Sequence, residues 1–318
     1  MKKIITVNGA KAPDEIGFCQ SHEHLLISKG VSATLNQALC IDDINKSTVE
    51  VRAFKSMGGN TLVDAQPGGC NRVAEGLAQI SKDTGVHIIC STGFHKHAFY
   101  PKDHWLFTYS LEQLKDVYVH ELEVGVFRDI DSKAPKEWVV GLRAGIIKTA
   151  LDVIGLTPQY LKCFEAAAKA AIHCDVPMKV HIDQEADHVA LLGYLQKWGI
   201  NPRKIMFCHM DREIKPLSFY LPVLEKGITL EFDTIGRFKY HDDESEAKLI
   251  KELIDAGYGN QILCSLDTTR ERLKAYHPEG IGLCYLFTSF FPLLREYGIT
   301  EAQIEKMTHD NFVRLYNH

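Results

Sequence analysis

Long apolar runs, basic blocks and paired-cysteine motifs are all missing from this 318-residue sequence, and each absence removes a class of function. No apolar stretch approaches the roughly 20 residues needed to span a bilayer, so no membrane partner is expected. The start, Met1-Lys2-Lys3-Ile4-Ile5-Thr6-Val7, is not followed by a long apolar region, and no signal peptide is read from it. A net charge of −5 without any basic cluster argues against a nucleic-acid footprint. Nine cysteines are scattered along the chain, an odd number with no Cys-x-x-Cys among them. Several stand in apolar runs such as Ile88-Ile89-Cys90 and Met206-Phe207-Cys208, which predicts buried reduced thiols and a cytoplasmic protein. A Gly-x-Gly-x-x-Gly phosphate loop is absent after the first core strand, and this argues against an open doubly wound sheet.

What the sequence does contain is regular alternation. With 45% hydrophobic and 24% charged residues there is ample material for a large core. Residues 1–14 read as a short hairpin or arm turning at Asn8-Gly9. Strands are then expected at about 15–21, 61–65, 86–92, 138–148, 177–181, 204–209, 228–233 and 261–267. Helical patterns occupy 41–58, 71–84, 110–126, 158–174, 184–198, 215–226 and 243–256, followed by a helical tail with Thr300 as a cap. Thr157 and Pro158 mark one helix start, as N-cap and first helical residue. A long loop rich in histidine and aromatics runs from 93 to about 109. Eight strand–helix units without a linker predict one domain over 1–318, a closed (β/α)8 TIM-type barrel.

Chemistry-bearing residues gather where the strands end. In His22-Glu23-His24 the two imidazoles fall on one side of an extended backbone and can reach one point, while Glu23 faces away. Such a pair is half of a divalent-metal site. Lys148 ends the fourth strand, His181 the fifth, His209 the sixth and Asp267 the eighth. In a barrel those ends ring one mouth. Singly, each has a bland reading as a capping or solvated polar residue. Their joint placement is what points to a metal centre.

Segments 17–24, 143–148, 208–211 and 265–267 together resemble motifs of the amidohydrolase superfamily, specifically its phosphotriesterase-like family. They carry Ser21-His22-Glu23-His24, Arg143 through Lys148, Cys208-His209 with Asp211, and Ser265-Leu266-Asp267. The likeness covers nearly the whole chain. It implies two divalent cations, with zinc first and manganese or cobalt as substitutes. His22, His24 and Asp267 would bind the buried ion and His181 and His209 the exposed one, with a carbamate on Lys148 bridging them. The implied activity is hydrolysis by a metal-bridging hydroxide, with Asp267 taking its proton.

The loops refine the substrate. Arg212 after Asp211 and the basic eighth loop depart from the organophosphate hydrolases and are more similar to the family's lactonases, particularly those acting on sugar-lactone phosphates. The expectation is a lactonase for an anionic small molecule, with phosphotriester or phosphoester hydrolysis as the alternative. Tyr100 and Arg212 are candidate substrate contacts. Lys239 and Arg270 are expected to flank a terminal phosphate, a point charge beside a bidentate fork, with Arg237 and Arg272 pointing elsewhere. A homodimer is the expected assembly.

Overall fold

The computed structural model describes residues 2–318. β1 (Ile4–Thr6) and β2 (Gly9–Lys11) form the expected antiparallel hairpin, and Gly9 supplies the positive φ (106°) at its turn. The chain is then pinned to the barrel where Val7 N–H donates to Ile88 O at 2.8 Å.

Eight parallel strands follow: β3 (Cys19–Glu23), β4 (Thr61–Asp64), β5 (His87–Gly93), β6 (Ile146–Leu151), β7 (Met178–Ile182), β8 (Ile205–Cys208), β9 (Thr229–Phe232) and β10 (Ile262–Cys264). Each pairs with its sequence neighbour, in unbroken order from β3 to β10. Apart from half-buried His87, every strand residue is enclosed, because helices cover the outer face and packed side chains fill the inner one. The helices start where the sequence caps them. Thr157 accepts from Tyr160 N–H before Pro158–Cys174, Asp242 from Ser245 N–H before Asp243–Asp255, and Ser110 with Gln113 makes a capping box before Leu111–Glu123.

The ring closes by side chains rather than by a strand ladder. β10 and β3 end the pairing order, and Glu23 bridges them. Its Oε1 accepts from Leu266 N–H and from the Ser265 hydroxyl, both at 2.9 Å, and its Oε2 accepts from Thr268 N–H at 3.1 Å. The Ser265 hydroxyl oxygen accepts from His22 N–H at 2.8 Å, Thr268 Oγ1 accepts from His24 N–H at 3.1 Å, and Asp267 N–H donates to His22 O at 3.0 Å. Burial pushes the Glu23 carboxyl up to about 7, against the pull of the Thr268 and Ser265 hydrogen bonds.

Three expectations are corrected. The fourth strand begins at Ile146, not 138. Trp138 makes an isolated antiparallel bridge to Phe127, Gly141 turns at φ +79°, and Gly145 lies so close to Ile5 O that a Cβ would overlap it. Lys148 therefore stands within β6 rather than at its end. The eighth strand stops at Cys264, because the backbone leaves the ladder for the seam and Asp267 turns at φ +46°. The loop after β5 contains a 3-10 turn at His97–Phe99 and a short helix at Trp105–Thr108.

Glu23→Ala removes an acceptor shared by three donors, each bond contributing about 1 kcal/mol to a neutral carboxyl and about 1.5–3 kcal/mol to a carboxylate. Chemical denaturation should show a loss of at least about 3 kcal/mol. A variant with an unchanged unfolding midpoint would show that the seam holds without this carboxylate.

Candidate metal centre

The barrel mouth brings together all six residues expected there. His22 Nε2 lies 3.0 Å from Lys148 Nζ and 3.7 Å from Asp267 Oδ1, and His24 Nε2 lies 3.5 Å from the same oxygen. Ligand atoms of His22, His24 and Asp267 are all within 4.8 Å of one another. Across the mouth His181 Nδ1 and His209 Nε2 stand 2.7 Å apart. His209 Nδ1 in turn lies 3.9 Å from Asp267 Oδ2. All six are buried, and Lys148 is completely enclosed.

Behind these side chains is a row of carboxylates. Asp233 Oδ1 lies 2.7 Å from His209 Nδ1, and its Oδ2 2.7 Å from His22 Nδ1. His22 Nδ1 also donates to Glu231 Oε2 at 3.1 Å, and His181 Nε2 to Asp183 Oδ1 at 2.9 Å. With the rear nitrogens of His22, His181 and His209 donating to carboxylates, their front nitrogens carry lone pairs. The two lone pairs of His181 and His209 then face each other at 2.7 Å, an arrangement that calls for a cation between them. Deeper still, Lys179 Nζ pairs with Glu231 at 3.0 Å and donates to Ser21 O, and the Cys208 thiol donates to Glu231 Oε2 at 2.9 Å.

Electrostatics suit the same purpose. Burial holds His22, His181 and His209 well below the usual imidazole range, so all three are neutral donors. Burial, with Lys179 nearby, also lowers Lys148. Burial alone would raise Asp267, but Arg237, followed by His209 and His24, keeps it well below the carboxylate range and ionised. Four imidazoles, a buried amine and one carboxylate fit a site for divalent cations. His24 Nδ1 is buried without a partner.

Two candidate ligands occupy unusual backbone. His209 has φ +63° and Asp267 φ +46°, in the left-handed region that costs a residue with a Cβ energy and tends to cluster at functional sites.

The substrate candidates are dispersed. Tyr100 is corrected to a packing residue: it is buried, its hydroxyl accepts from His95 N–H at 2.8 Å, and its ring lies against His104. Arg212 does reach the mouth, 3.3 Å from Asp183 and 4.0 Å from Asp267, and lines a cleft of about 340 Å3 with His209 and His188. Lys239 is exposed above the Tyr240 ring, and Arg270 turns to Asp42 at 2.8 Å, so the two do not converge on one anion in this arrangement. The expected outward turn holds for Arg272 and not for Arg237. Arg237 points inward, 3.2 Å from Asp267 Oδ2, while Arg272 is half-buried and donates to Ile235, Gly236 and Leu266 carbonyls. Arg237, Lys239 and Arg272 line a second cleft of about 460 Å3.

Sequence reasoning missed Asp183, Glu231 and Asp233 as partners of the histidines, and Lys179 as the partner of Glu231. Asp183 and Asp233 carried a signal, a carboxylate two residues beyond His181 and one at the end of the seventh strand. Glu231 and Lys179 lie inside apolar strands and gave none.

Known proteins share the sequence pattern and the fold. The sequence matches the phosphotriesterase family over residues 2–316. It is 29% identical over 319 residues to a phospho-furanose lactonase of Mycoplasmopsis synoviae, covering 98% of this chain and 90% of that protein. A lactonase of Listeria monocytogenes superposes with a TM-score of 0.87 at 27% identity, covering 99% of both chains. The phosphotriesterase homology protein of Escherichia coli, solved with phosphate in its active site, gives a TM-score of 0.83 at 27% identity, over 95% of this chain and 99% of that one.

Asp233→Asn keeps the size of the side chain but removes the charge held between two imidazoles. Metal affinity, measured by competition with a chromophoric chelator, should fall about 10–100-fold. Unchanged affinity would mean that Asp233 does not orient His22 and His209.

Proposed function

The chain belongs to the phosphotriesterase family, and from that premise we propose that it is a metal-dependent hydrolase opening the ring of a phosphorylated sugar lactone. The observation that carries the reading is the pair of imidazole lone pairs facing across 2.7 Å, beside the His22–His24–Asp267 group. The family implies a binuclear divalent site, and His22, His24 and Asp267 form a candidate ligand group for one of its ions. Two such cations, zinc by preference for imidazole and manganese or cobalt as alternatives, would polarise a carbonyl and bring the pKa of a water to about 7.

The chain's own residues then have defined tasks. Lys148, with its amine favoured in the neutral form by burial, can form an N–C bond to carbon dioxide and release a proton to solvent; the resulting carbamate would supply anionic oxygen ligands to divalent cations. Asp267, kept ionised by Arg237, is placed to accept a proton from the attacking water. Asp183 and Asp233 hold the imidazoles in the tautomers that ligation needs. Lys239 and Arg270 are the proposed phosphate contacts, and Arg212 the contact beside the exposed-side histidines. The Arg270–Asp42 pair is partly solvated, and exposed pairs of this kind contribute little, so an incoming phosphate can displace it. A cationic rim of this kind suits an anionic lactone better than a neutral triester. The names of the lactonase relatives support the same substrate class. We place the protein in the cytoplasm, which its nine free thiols support; among the described residues no helix is long and apolar enough to cross a membrane.

Asp267→Asn should retain the barrel by circular dichroism yet lower kcat by about 10²–10⁴-fold, the range for a lost general base. Normal turnover would remove Asp267 from the proposed role. For the substrate, kcat/KM for a phosphorylated aldonolactone should exceed that for the free lactone by roughly tenfold or more, the equivalent of about one charged hydrogen bond. Arg270→Met should erase most of that preference and spare the free lactone. Equal kcat/KM for the two substrates in the parent protein would return Lys239 and Arg270 to the solvated rim.

A further inference from the structure

Two carboxylates outside the six mouth ligands are enclosed with no cation beside them. Asp211 follows β8, and Glu246 stands in the first turn of the helix Asp243–Asp255; both are 0% exposed. Asp211 Oδ2 accepts from Thr234 N–H at 2.6 Å, but its Oδ1 has no partner, and neither Glu246 oxygen has one. His241 packs at the same point, with Nδ1 3.7 Å from Glu246 Oε2. One ligand atom from each of the three lies within 4.8 Å of the other two. The nearby cations are engaged elsewhere, Arg212 with Asp183 and Arg272 with backbone carbonyls. Side by side in a low-dielectric interior, two ionised carboxylates repel and lack solvation, so the cluster needs either a shared proton or a cation.

We propose that Asp211, Glu246 and His241 form a separate divalent-cation site, between the barrel wall and the helix after β9. Two carboxylates balance a charge of +2, and the mix of carboxylate oxygens and one imidazole suits Mn2+ or Zn2+. The far nitrogen of His241, Nε2, lies 3.2 Å from Thr234 Oγ1, a hydroxyl able to hold the ring as ligand histidines are held. In one tautomer Nδ1 donates to Asp242 O at 3.1 Å; in the other it presents its lone pair toward Glu246. Burial, and Asp211 after it, pushes the Glu246 carboxyl well above its usual range, and a bound cation would reverse that tendency. The ion would tie the loop after β9 and its helix to the end of β8, a structural role separate from hydrolysis.

The test counts metal in full-length protein stripped with chelator, reloaded with Mn2+ and gel-filtered. Glu246→Gln should bind about one equivalent less than the parent. Lys148→Ala, aimed at the mouth, should keep that equivalent, and Lys148→Ala combined with Glu246→Gln should lose it. His241→Ala, a change at the edge of the cluster, should weaken the same equivalent roughly tenfold or more, and guards against misfolding of the glutamine variant. If the mouth held no metal, Lys148→Ala would bind as much as the parent while Glu246→Gln still lost one equivalent. Equal Mn2+ content in the parent, Glu246→Gln and His241→Ala overturns the proposal in favour of a shared proton.

Discussion

Closure of the ring by the Glu23 carboxylate is the constraint on which the rest of the molecule depends. Its three donors flank Asp267 on both sides, so the bonds that join the last strand to the first also fix where Asp267 stands relative to His22 and His24. Strand alternation makes this economical. The backbone that turns His22 and His24 toward the mouth must turn Glu23 toward the seam. Fold closure and site assembly are one set of contacts, and neither can be loosened without the other.

Directly beneath the mouth the barrel holds charged side chains, in addition to the apolar cluster that includes Val63, Ile89, Met206 and Leu263. Lys179, Glu231 and Asp233 form a ladder ending on the rear nitrogens of His22 and His209. Buried ion pairs of this sort add little net stability, because desolvation offsets their attraction. Their evident effect is orientational. Each rear nitrogen donates to a carboxylate, the front nitrogen is left as a lone pair, and the ring cannot flip without stranding a buried charge.

The architecture was legible because its signal is periodic and redundant. Apolar strand runs alternating with capped helices give eight units, and errors of a few residues at the boundaries leave the count intact. The six mouth residues were legible for a related reason: strand ends converge whatever the loops do, and the motifs at those ends are specific. Three kinds of feature were not legible. Glu231 and Lys179 sit inside apolar strands, where a lone charge gives no hint of its partner across the barrel. The fourth strand was drawn too long because Trp138 to Leu142 looks β-forming, and only contact with the hairpin and with Phe127 diverts it. The inward turn of Arg237 was not legible, since no strand parity governs a segment turning at Gly236. Tyr100 looked like a contact because aromatic loop residues serve equally as anchors, which is what burial makes of it.

The left-handed backbone at His209 and Asp267 also limits what these positions can become over evolutionary time. Residues branched at Cβ are resisted there before any question of chemistry arises, whereas asparagine tolerates the conformation and is a single base change from either codon. The easiest drift at both sites therefore preserves the shape of the barrel while deleting a donor atom. Descendants that keep the fold but have lost the chemistry lie one mutational step away, and duplicated copies of such a gene would be expected to include them.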